Sequence, residues 1–282
     1  MTCALRAAAV AVAFALVGLA NAGAQVSVRG IVLAADTEQP LPYVHVGTVA
    51  GTAGAITDEA GAFTLTVRPG DSLRASMIGY ASATTIAPPP SASGEVVIRL
   101  EPRAYELVTA SVRGRAADPD LLLEARPTRV TTGHSGRGDY GVGEEYCRLL
   151  ALPPGEHALT GLDFHLRFNR LDSVLFRVTL YRIGADGLPA EPLGPAPTYA
   201  KATRKQQRVS ARFEAPVRVD GEVAAAVEVV RLWRRKRGDN ALFFSHAEAT
   251  TKPSFHRAAS QAAWRRGATT PFAMWVWGHR RS

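Results

Sequence analysis

The chain has 282 residues, of which 46% are hydrophobic and 21% are charged, and its formal net charge at pH 7 is +8. This hydrophobic fraction is typical of a folded chain and excludes intrinsic disorder of the whole sequence. Long apolar runs are confined to the N-terminus, which excludes a membrane protein with several helical spans. The length allows one large or two ordinary domains.

Residues 1–24 have the three parts of a secretory signal peptide. Arg6 supplies a positive charge, Ala7–Ala20 is an apolar run, and small residues lead to Ala24 just before Gln25. A membrane anchor is the rival interpretation, but the 14 residues of this run make only about 21 Å of helix, against a hydrocarbon core of roughly 30 Å. We expect cleavage between Ala24 and Gln25 and no transmembrane segment in the mature chain. The expected location is the periplasm, the outer membrane surface or the exterior.

Cleavage at this point would remove Cys3 and leave Cys147 as the remaining cysteine. An exported chain with one thiol forms no internal disulfide, so burial of apolar surface must stabilise it. No histidine lies near Cys147 at a recognisable family spacing. We therefore expect Cys147 to be a small buried residue rather than a nucleophile.

Residues 25–112 read as short strands separated by turns. Apolar and polar residues alternate in Val26–Val32, Phe63–Val67, Leu73–Met77 and Val96–Leu100, which is the period of half-buried strands. In the TDEAG segment, the Asp58 side chain can accept hydrogen bonds from a hairpin turn, and Gly61 can adopt positive φ. Gly79 lies where a strand must bend or let a neighbour approach.

Four stretches of this half occur in a family-specific order. They are VRGIVLAADTEQPLPYVHV, GAITDEAGAFTLTV, DSLRASMIGY and a strand that ends in RLEP. The order resembles the carboxypeptidase-regulatory-like domain, a prealbumin-like β-sandwich at the start of many exported bacterial proteins. The resemblance implies this fold for residues 25–112 and implies no peptidase activity.

Residues 113–135 show no sustained period, which indicates a linker, with a short helix around Leu121–Ala125 as an alternative. From 136 to 279 the alternation returns. In one run Leu162, Phe164, Leu166 and Phe168 should face one way, and Asp163, His165, Arg167 and Asn169 the other. We predict an all-β chain, with a second, larger sandwich of the jelly-roll type at 136–279. The segment Glu144–Leu152 fits either a strand or a short helix.

The second half also resembles the C-terminal region of uncharacterised exported bacterial proteins that carry the same regulatory-like domain. Matching stretches are YGVGEEYC, LDFHLRFNRLDSVLFRVTLYRIGADGLP, VAAAVEVV, ALFFS and FHRAASQAAW. This resemblance names no function. It implies that the two halves belong together as one unit.

No motif in the sequence predicts catalysis, a cofactor or a metal. Gly136–Gly141 matches GxGxxG, but no βαβ pattern surrounds it, as a dinucleotide site requires. The seven histidines are scattered, and none begins HExxH. A GxSxG nucleophile elbow is also missing from the sequence. We expect a protein without enzymatic activity.

Basic residues are concentrated between 201 and 238, and Arg234, Arg235, Lys236 and Arg237 form a predicted hairpin tip. This tip could contact an anionic surface or an acidic partner, or it could be a solvated loop. Nucleic acid is not an expected partner of an exported chain. Trp264, Trp275 and Trp277 could stack on sugars, but a stripe in the core is favoured.

The sequence therefore predicts a non-enzymatic exported binding or scaffolding protein of the bacterial cell envelope. Its partner would be an envelope protein, an anionic surface or a glycan. One alternative is a carbohydrate-binding accessory of a polysaccharide- or peptide-degrading system. Another is a truncated relative of outer-membrane transporters that share the N-terminal domain. A helix-rich second half, or several ionisable groups converging in a deep cleft, would contradict the prediction of an inert binding protein.

Overall fold

The structure, a computed structural model, describes residues 25–51, 53–89, 95–103, 118–134, 141–234, 240–248, 252–258, 262–267 and 271–280. The predicted signal peptide, most of the GxGxxG loop and the basic residues 235–237 lie outside these ranges. Strands are the regular secondary structure throughout the described residues. Within them, no helix has the length and apolar character that a membrane span requires.

The N-terminal half forms a sandwich of seven strands. They are β1 (Val26–Ala34), β2 (His45–Thr48), β3 (Gly54–Ile56), β4 (Ala62–Val67), β5 (Ser72–Ser76), β6 (Ala83–Ile86) and β7 (Val96–Leu100). One sheet has the order β4-β1-β7 and the other the order β3-β2-β5-β6. The alternating residues predicted from the sequence, such as Val32, Phe63 and Leu73, point between the sheets and are buried.

The second half is a larger sandwich. Its strands are β8 (Asp120–Ala125), β9 (Thr131–His134), β10 (Glu145–Leu149), β11 (His157–Asn169), β12 (Ser173–Ile183), β13 (Pro189–Thr203), β14 (Arg208–Val219), β15 (Val223–Trp233), β16 (Leu242–Ser245), β17 (Ser254–Arg257), β18 (Arg265–Arg266) and β19 (Met274–Arg280). The first sheet has the order β13-β12-β15-β10-β17-β18; the second has the order β8-β19-β11-β16-β9, with β14 also paired to β11. The prediction of an all-β fold with two sandwiches is confirmed.

The core of the second sandwich is built on period-2 alternation. Phe164 of β11 meets Phe176 of β12 edge to face, with ring centroids 5.0 Å apart. Phe244 of β16 packs against both rings, at 6.1 and 5.9 Å. Edge-to-face pairs of buried aromatic rings stabilise a core beyond their buried area. These contacts join the two sheets.

Two local expectations differ from the structure, and one open choice is resolved. The short helix considered at Leu121–Ala125 is wrong, because these residues belong to β8, which pairs with β19. The predicted linker 113–135 therefore contributes strands β8 and β9 to the second sandwich. The open choice at Glu144–Leu152 resolves as strand β10.

The alternation of β11 also breaks near its end. The register with β16 shifts between Leu166 and Phe168. As a result Phe168 is 44% exposed and Asn169 is 4% exposed, the reverse of the prediction. A bulge inserts one extra residue into a strand and so exchanges the faces that follow it.

The sheet that contains β12 and β15 buries both of its faces. One face belongs to the main core, while the other carries Arg177, Tyr181 and Glu228 and lies against the N-terminal sandwich. Polar groups buried on this face need partners, and those partners define the junction between the two sandwiches.

Candidate functional site

Three ionisable side chains from distant parts of the chain meet at this junction. Glu228 of β15 accepts hydrogen bonds from Nε and Nη2 of Arg177, at 2.8 and 2.7 Å to its Oε2 atom. Nε2 of His45, on β2 of the N-terminal sandwich, lies 2.7 Å from Oε1 of the same carboxylate. His45, Arg177 and Glu228 are 9%, 3% and 1% exposed. We call these three residues the junction triad.

Burial and neighbouring charges set the protonation of the triad. Desolvation, reinforced by the positive charge of Arg177, lowers the pKa of His45 to about 4. Burial alone would raise the pKa of Glu228, but Arg177 and His45 outweigh it and hold that pKa at about 2. At neutral pH His45 is therefore a neutral imidazole beside a charged Glu228–Arg177 pair, and its Nε2 atom contacts both the Glu228 carboxylate and Nη2 of Arg177.

A second buried pair lies beside the triad on the same sheet face. Glu145 of β10 accepts a hydrogen bond of 2.6 Å from Nε of Arg257, on β17. The Tyr181 hydroxyl donates to Glu145 Oε1 at 2.9 Å. Desolvation raises the pKa of Glu145, while the charge of Arg257 opposes this shift. Two guanidinium groups and two carboxylates are thus held side by side beneath the N-terminal sandwich.

Further contacts cross the junction at its edge. Nη1 of Arg177 donates a hydrogen bond of 2.7 Å to the backbone carbonyl of Tyr43. The rings of Tyr43 and Tyr199 are in contact, with centroids 5.5 Å apart. Arg231 of β15 forms an ion pair with Glu59 of the N-terminal sandwich. The two sandwiches are therefore joined by side chains of complementary charge.

Next to the triad the two sandwiches leave a cleft with a volume of about 330 Å³. The N-terminal sandwich contributes His45, Arg74, Ser76, Met77, Ile78, Tyr80, Ser82 and Arg103 to its lining. The second sandwich contributes Arg177, Thr179, Tyr181, Ala190, Pro192 and Arg257. Four of these lining residues are arginines, and no acidic residue of the described chain lines the cleft. We call this cavity the junction cleft.

The donor set of the junction cleft suits an anion better than a metal cation. Guanidinium groups present fixed N–H donors that match carboxylate and phosphate oxygens. The nearest carboxylates, Glu145 and Glu228, already accept hydrogen bonds from Arg257 and Arg177. Among the described residues, no three His, Cys, Asp or Glu side chains are grouped to hold a metal ion.

A second cavity of about 340 Å³ lies within the second sandwich. Its lining includes Phe255, His256 and Tyr146, whose hydroxyl donates to Glu144 Oε2 at 2.7 Å. Desolvation raises the pKa of Tyr146 well above its ordinary value. Tyr146 therefore remains a neutral donor in this cavity.

The turn residues predicted from the sequence occupy strained or bonded positions. Oδ1 of Asp58 accepts hydrogen bonds of 2.9 Å from the backbone N–H groups of Ala60 and Ala62. Gly61 has φ +73° and Gly79 has φ +90°. This first turn joins β3 of one sheet to β4 of the other, so it is not the hairpin between paired strands that we expected. Gly79 lies in the turn that follows β5.

Much of the described basic region is engaged within the molecule. Arg208 and Arg212 each donate to the buried Asp163, at 2.7 and 2.8 Å. Lys201 and Arg231 lie over the Trp233 ring, at 4.5 and 4.7 Å from its centroid. Arg234 is half-buried after β15, and Arg235, Lys236 and Arg237 lie outside the described residues.

The tryptophans are neither a core stripe nor an open platform. Trp275 is 8% exposed and is covered by Arg208, whose guanidinium lies 4.2 Å from the ring centroid. Trp277 Nε1 donates to Asp163 at 3.3 Å. Trp264 is half-buried between Arg257 and Tyr181. Each indole thus packs against a polar or cationic partner on the surface of a sheet.

Cys147 and His165 also had predicted environments. Cys147 is buried, as expected, and His165 is more buried than expected. Cys147 is 1% exposed, and desolvation raises the pKa of its thiol well above the ordinary value. His165, expected to face solvent, is half-buried, and its Nδ1 lies 2.9 Å from the Ser245 hydroxyl. A protonated, buried thiol fits the packing role expected for Cys147.

The junction triad was missed in the sequence analysis, where His45 was one of several scattered histidines. A signal was nevertheless present. Glu228 interrupts the apolar run VAAAVEVV, and Arg177 interrupts VLFRVTL. A charged residue within a strand that is otherwise fully apolar requires a buried partner. The pattern does not identify that partner, because Arg177 and Glu228 are 51 residues apart in the sequence.

The N-terminal half of the chain matches a known protein family. Residues 28–112 match the family model of the CarboxypepD_reg-like domain. No curated protein matches the chain. The match agrees in extent with the first sandwich, β1 to β7. The chain therefore carries a CarboxypepD_reg-like domain at residues 28–112, joined to a second β-sandwich through the junction triad.

Proposed function

We propose that the protein is a non-enzymatic exported binding protein of the bacterial cell envelope, and that its ligand occupies the junction cleft. The observation that carries this proposal is a cleft formed by both sandwiches and lined by four arginines. Concave sites at domain interfaces with a few convergent polar groups are common ligand sites. The signal-like residues 1–24 support export.

Several ionisable groups do converge at the cleft, the arrangement that we expected to argue against a protein without reactive chemistry. Their burial and protonation nevertheless favour binding over chemistry. The Glu228 carboxylate is held charged by Arg177, and the low pKa of His45 keeps its ring neutral at pH 7. A general base needs a pKa near the working pH and access to the substrate proton. Glu228 has neither, because it is 1% exposed and its oxygens already accept hydrogen bonds. The groups instead hold their donors in a fixed arrangement.

Native mass spectrometry tests this proposal. The protein is incubated with the small-molecule fraction of an envelope extract and compared with two variants. Ser82→Trp places an indole at the mouth of the cleft, and Thr64→Trp places the same side chain on the exposed surface of β4. We expect a ligand adduct in the native protein and in Thr64→Trp, and its loss in Ser82→Trp.

Two outcomes would overturn the proposal. One is an adduct that persists in Ser82→Trp, which would place the site elsewhere. The other is conversion of the bound molecule into a product of different mass, which would identify an enzyme.

A further inference from the structure

We propose that the junction cleft recognises a small hydroxylated carboxylate, such as an acidic sugar, with the carboxylate held by Arg74 and Arg257. This inference rests on the proposed binding function. It adds the chemical class of the ligand and the residues that select it.

Charge is the first argument. Arg74, on β5, is exposed at the cleft, and within the described residues no carboxylate forms an ion pair with it. Arg257 bonds to Glu145 through Nε, and its Nη2 contacts Glu145 and the Tyr181 hydroxyl. Its Nη1 group has no hydrogen-bond partner in the described part of the chain. Two guanidinium groups, one from each sandwich, thus offer donors to an incoming anion.

Preorganisation is the second argument. The side chain of Arg257 is 12% exposed and lies over the Trp264 ring, 4.6 Å from the centroid. Its position is therefore fixed before a ligand arrives. Donors fixed in advance lose little conformational entropy on binding. This argument applies to Arg257, whereas Arg74 is exposed and contributes charge.

The remaining lining indicates what the anion is attached to. Ser76, Ser82 and Thr179 provide hydroxyl groups, which both donate and accept hydrogen bonds. Met77 and Pro192 provide apolar surface for carbon–hydrogen faces. A ligand with hydroxyl groups along a short carbon frame would match this mixture. An inorganic anion could accept hydrogen bonds from these hydroxyls but would leave the apolar surface unused.

Size is the fourth argument. The cleft volume of about 330 Å³ lies at the lower end of the range for small-molecule sites, roughly 300–1,000 Å³. A single sugar acid or a hydroxy acid of similar length therefore fits, and a polymer would be bound only by one unit or by its end.

Calorimetric titration tests the assignment with three probes: glucuronate, glucose and inorganic phosphate. Glucuronate and glucose share most of their hydroxyls, and they differ in the carboxylate. The proteins are the native chain, Arg74→Gln and, as a matched control, Arg29→Gln. Arg29 is an exposed arginine of β1 that lies outside the cleft lining.

We expect glucuronate to bind the native chain and Arg29→Gln with equal affinity, and Arg74→Gln at least about tenfold more weakly, since a charged hydrogen bond is lost. Glucose and phosphate should bind at least about tenfold more weakly than glucuronate. Equal binding of glucose would overturn the requirement for a carboxylate while leaving a binding cleft intact. Phosphate binding as tight as that of glucuronate would identify a simple anion site. A third outcome is that glucuronate does not bind, while Ser82→Trp still abolishes the adduct from the envelope extract. This outcome would reject the ligand class but not the proposed function.

Discussion

Arg177 of the second sandwich donates a hydrogen bond of 2.7 Å to the backbone carbonyl of Tyr43, 134 residues earlier in the CarboxypepD_reg-like domain. The same guanidinium binds Glu228, which also contacts His45. One buried arginine therefore connects both sandwiches. A buried guanidinium without these partners would be strongly destabilising.

Replacing Glu228 with Gln should lower the free energy of unfolding of the second sandwich, which contains all four tryptophans, by about 3–5 kcal/mol, because Arg177 would remain buried and uncompensated. Urea unfolding followed by tryptophan fluorescence measures this change. Glu222→Gln is the matched control, since Glu222 pairs with Lys252 on the surface, where their side chains are 57% and 44% exposed. The control should be close to neutral. An equal loss in both variants would argue against a special role of the triad.

Stability should fall as the pH is lowered from about 6.5 to about 4. In this window the unfolded chain protonates residue 45, whereas the folded pKa of His45, about 4, keeps the buried ring neutral. The contribution of His45 should be about 3 kcal/mol and complete near pH 4, and below that the lowered pKa of Glu228, about 2, makes stability fall further. Chemical denaturation at a series of pH values measures the slope. His45→Gln should remove this part of the slope, and an unchanged slope would refute the assignment. Glu145, whose pKa is raised, contributes to the pH dependence of stability with the opposite sign. This contribution is present in both the native protein and His45→Gln, so the difference between their slopes excludes it.

The Cys147 thiol should not react with a thiol reagent in the folded protein. It is 1% exposed, and burial raises its pKa, so the thiolate population is small. The variant Cys3→Ser isolates Cys147 as the single thiol in the chain. We expect full labelling in denaturant and almost none without it. Rapid labelling of the native protein would show that the thiol is accessible.

Gly61→Ala should destabilise the N-terminal sandwich more than Gly70→Ala does. Both glycines have positive φ, +73° and +84°. A Cβ at Gly61 would lie 2.7 Å from the carbonyl oxygen of Val32, whereas one at Gly70 would meet no atom within 4 Å. We expect about 1 kcal/mol for Gly70→Ala, from backbone strain alone, and at least about 2 kcal/mol for Gly61→Ala. Thermal unfolding measures both variants. An equal loss of stability in the two would mean that the backbone around Gly61 moves away from Val32 of β1 without a cost in free energy.

The two-sandwich fold was largely predictable because alternation has a direct physical origin. Phe63, Leu65 and Val67 lie on one face of a strand, and burying them on that face determines the register. The pattern failed at Phe168, where a bulge exchanged the faces, because the position of a bulge depends on the pairing partner. It also failed for residues 120–134, whose mixed composition concealed two strands at the edges of a sheet.

The candidate site was hardly predictable. The charges of Arg177 and Glu228 within apolar strands show that each needs a partner, but alternation does not identify which one. His45 belongs to the other sandwich, 183 residues from Glu228. The junction cleft therefore follows from the packing of the two sandwiches and not from a local motif.

Differential scanning calorimetry of the native protein and of Glu228→Gln tests most directly whether the triad makes the two sandwiches one unit. We predict a single transition for the native protein, with equal calorimetric and van't Hoff enthalpies, and two separate transitions for the variant. Two transitions in the native protein, or one unchanged transition in Glu228→Gln, would contradict the account.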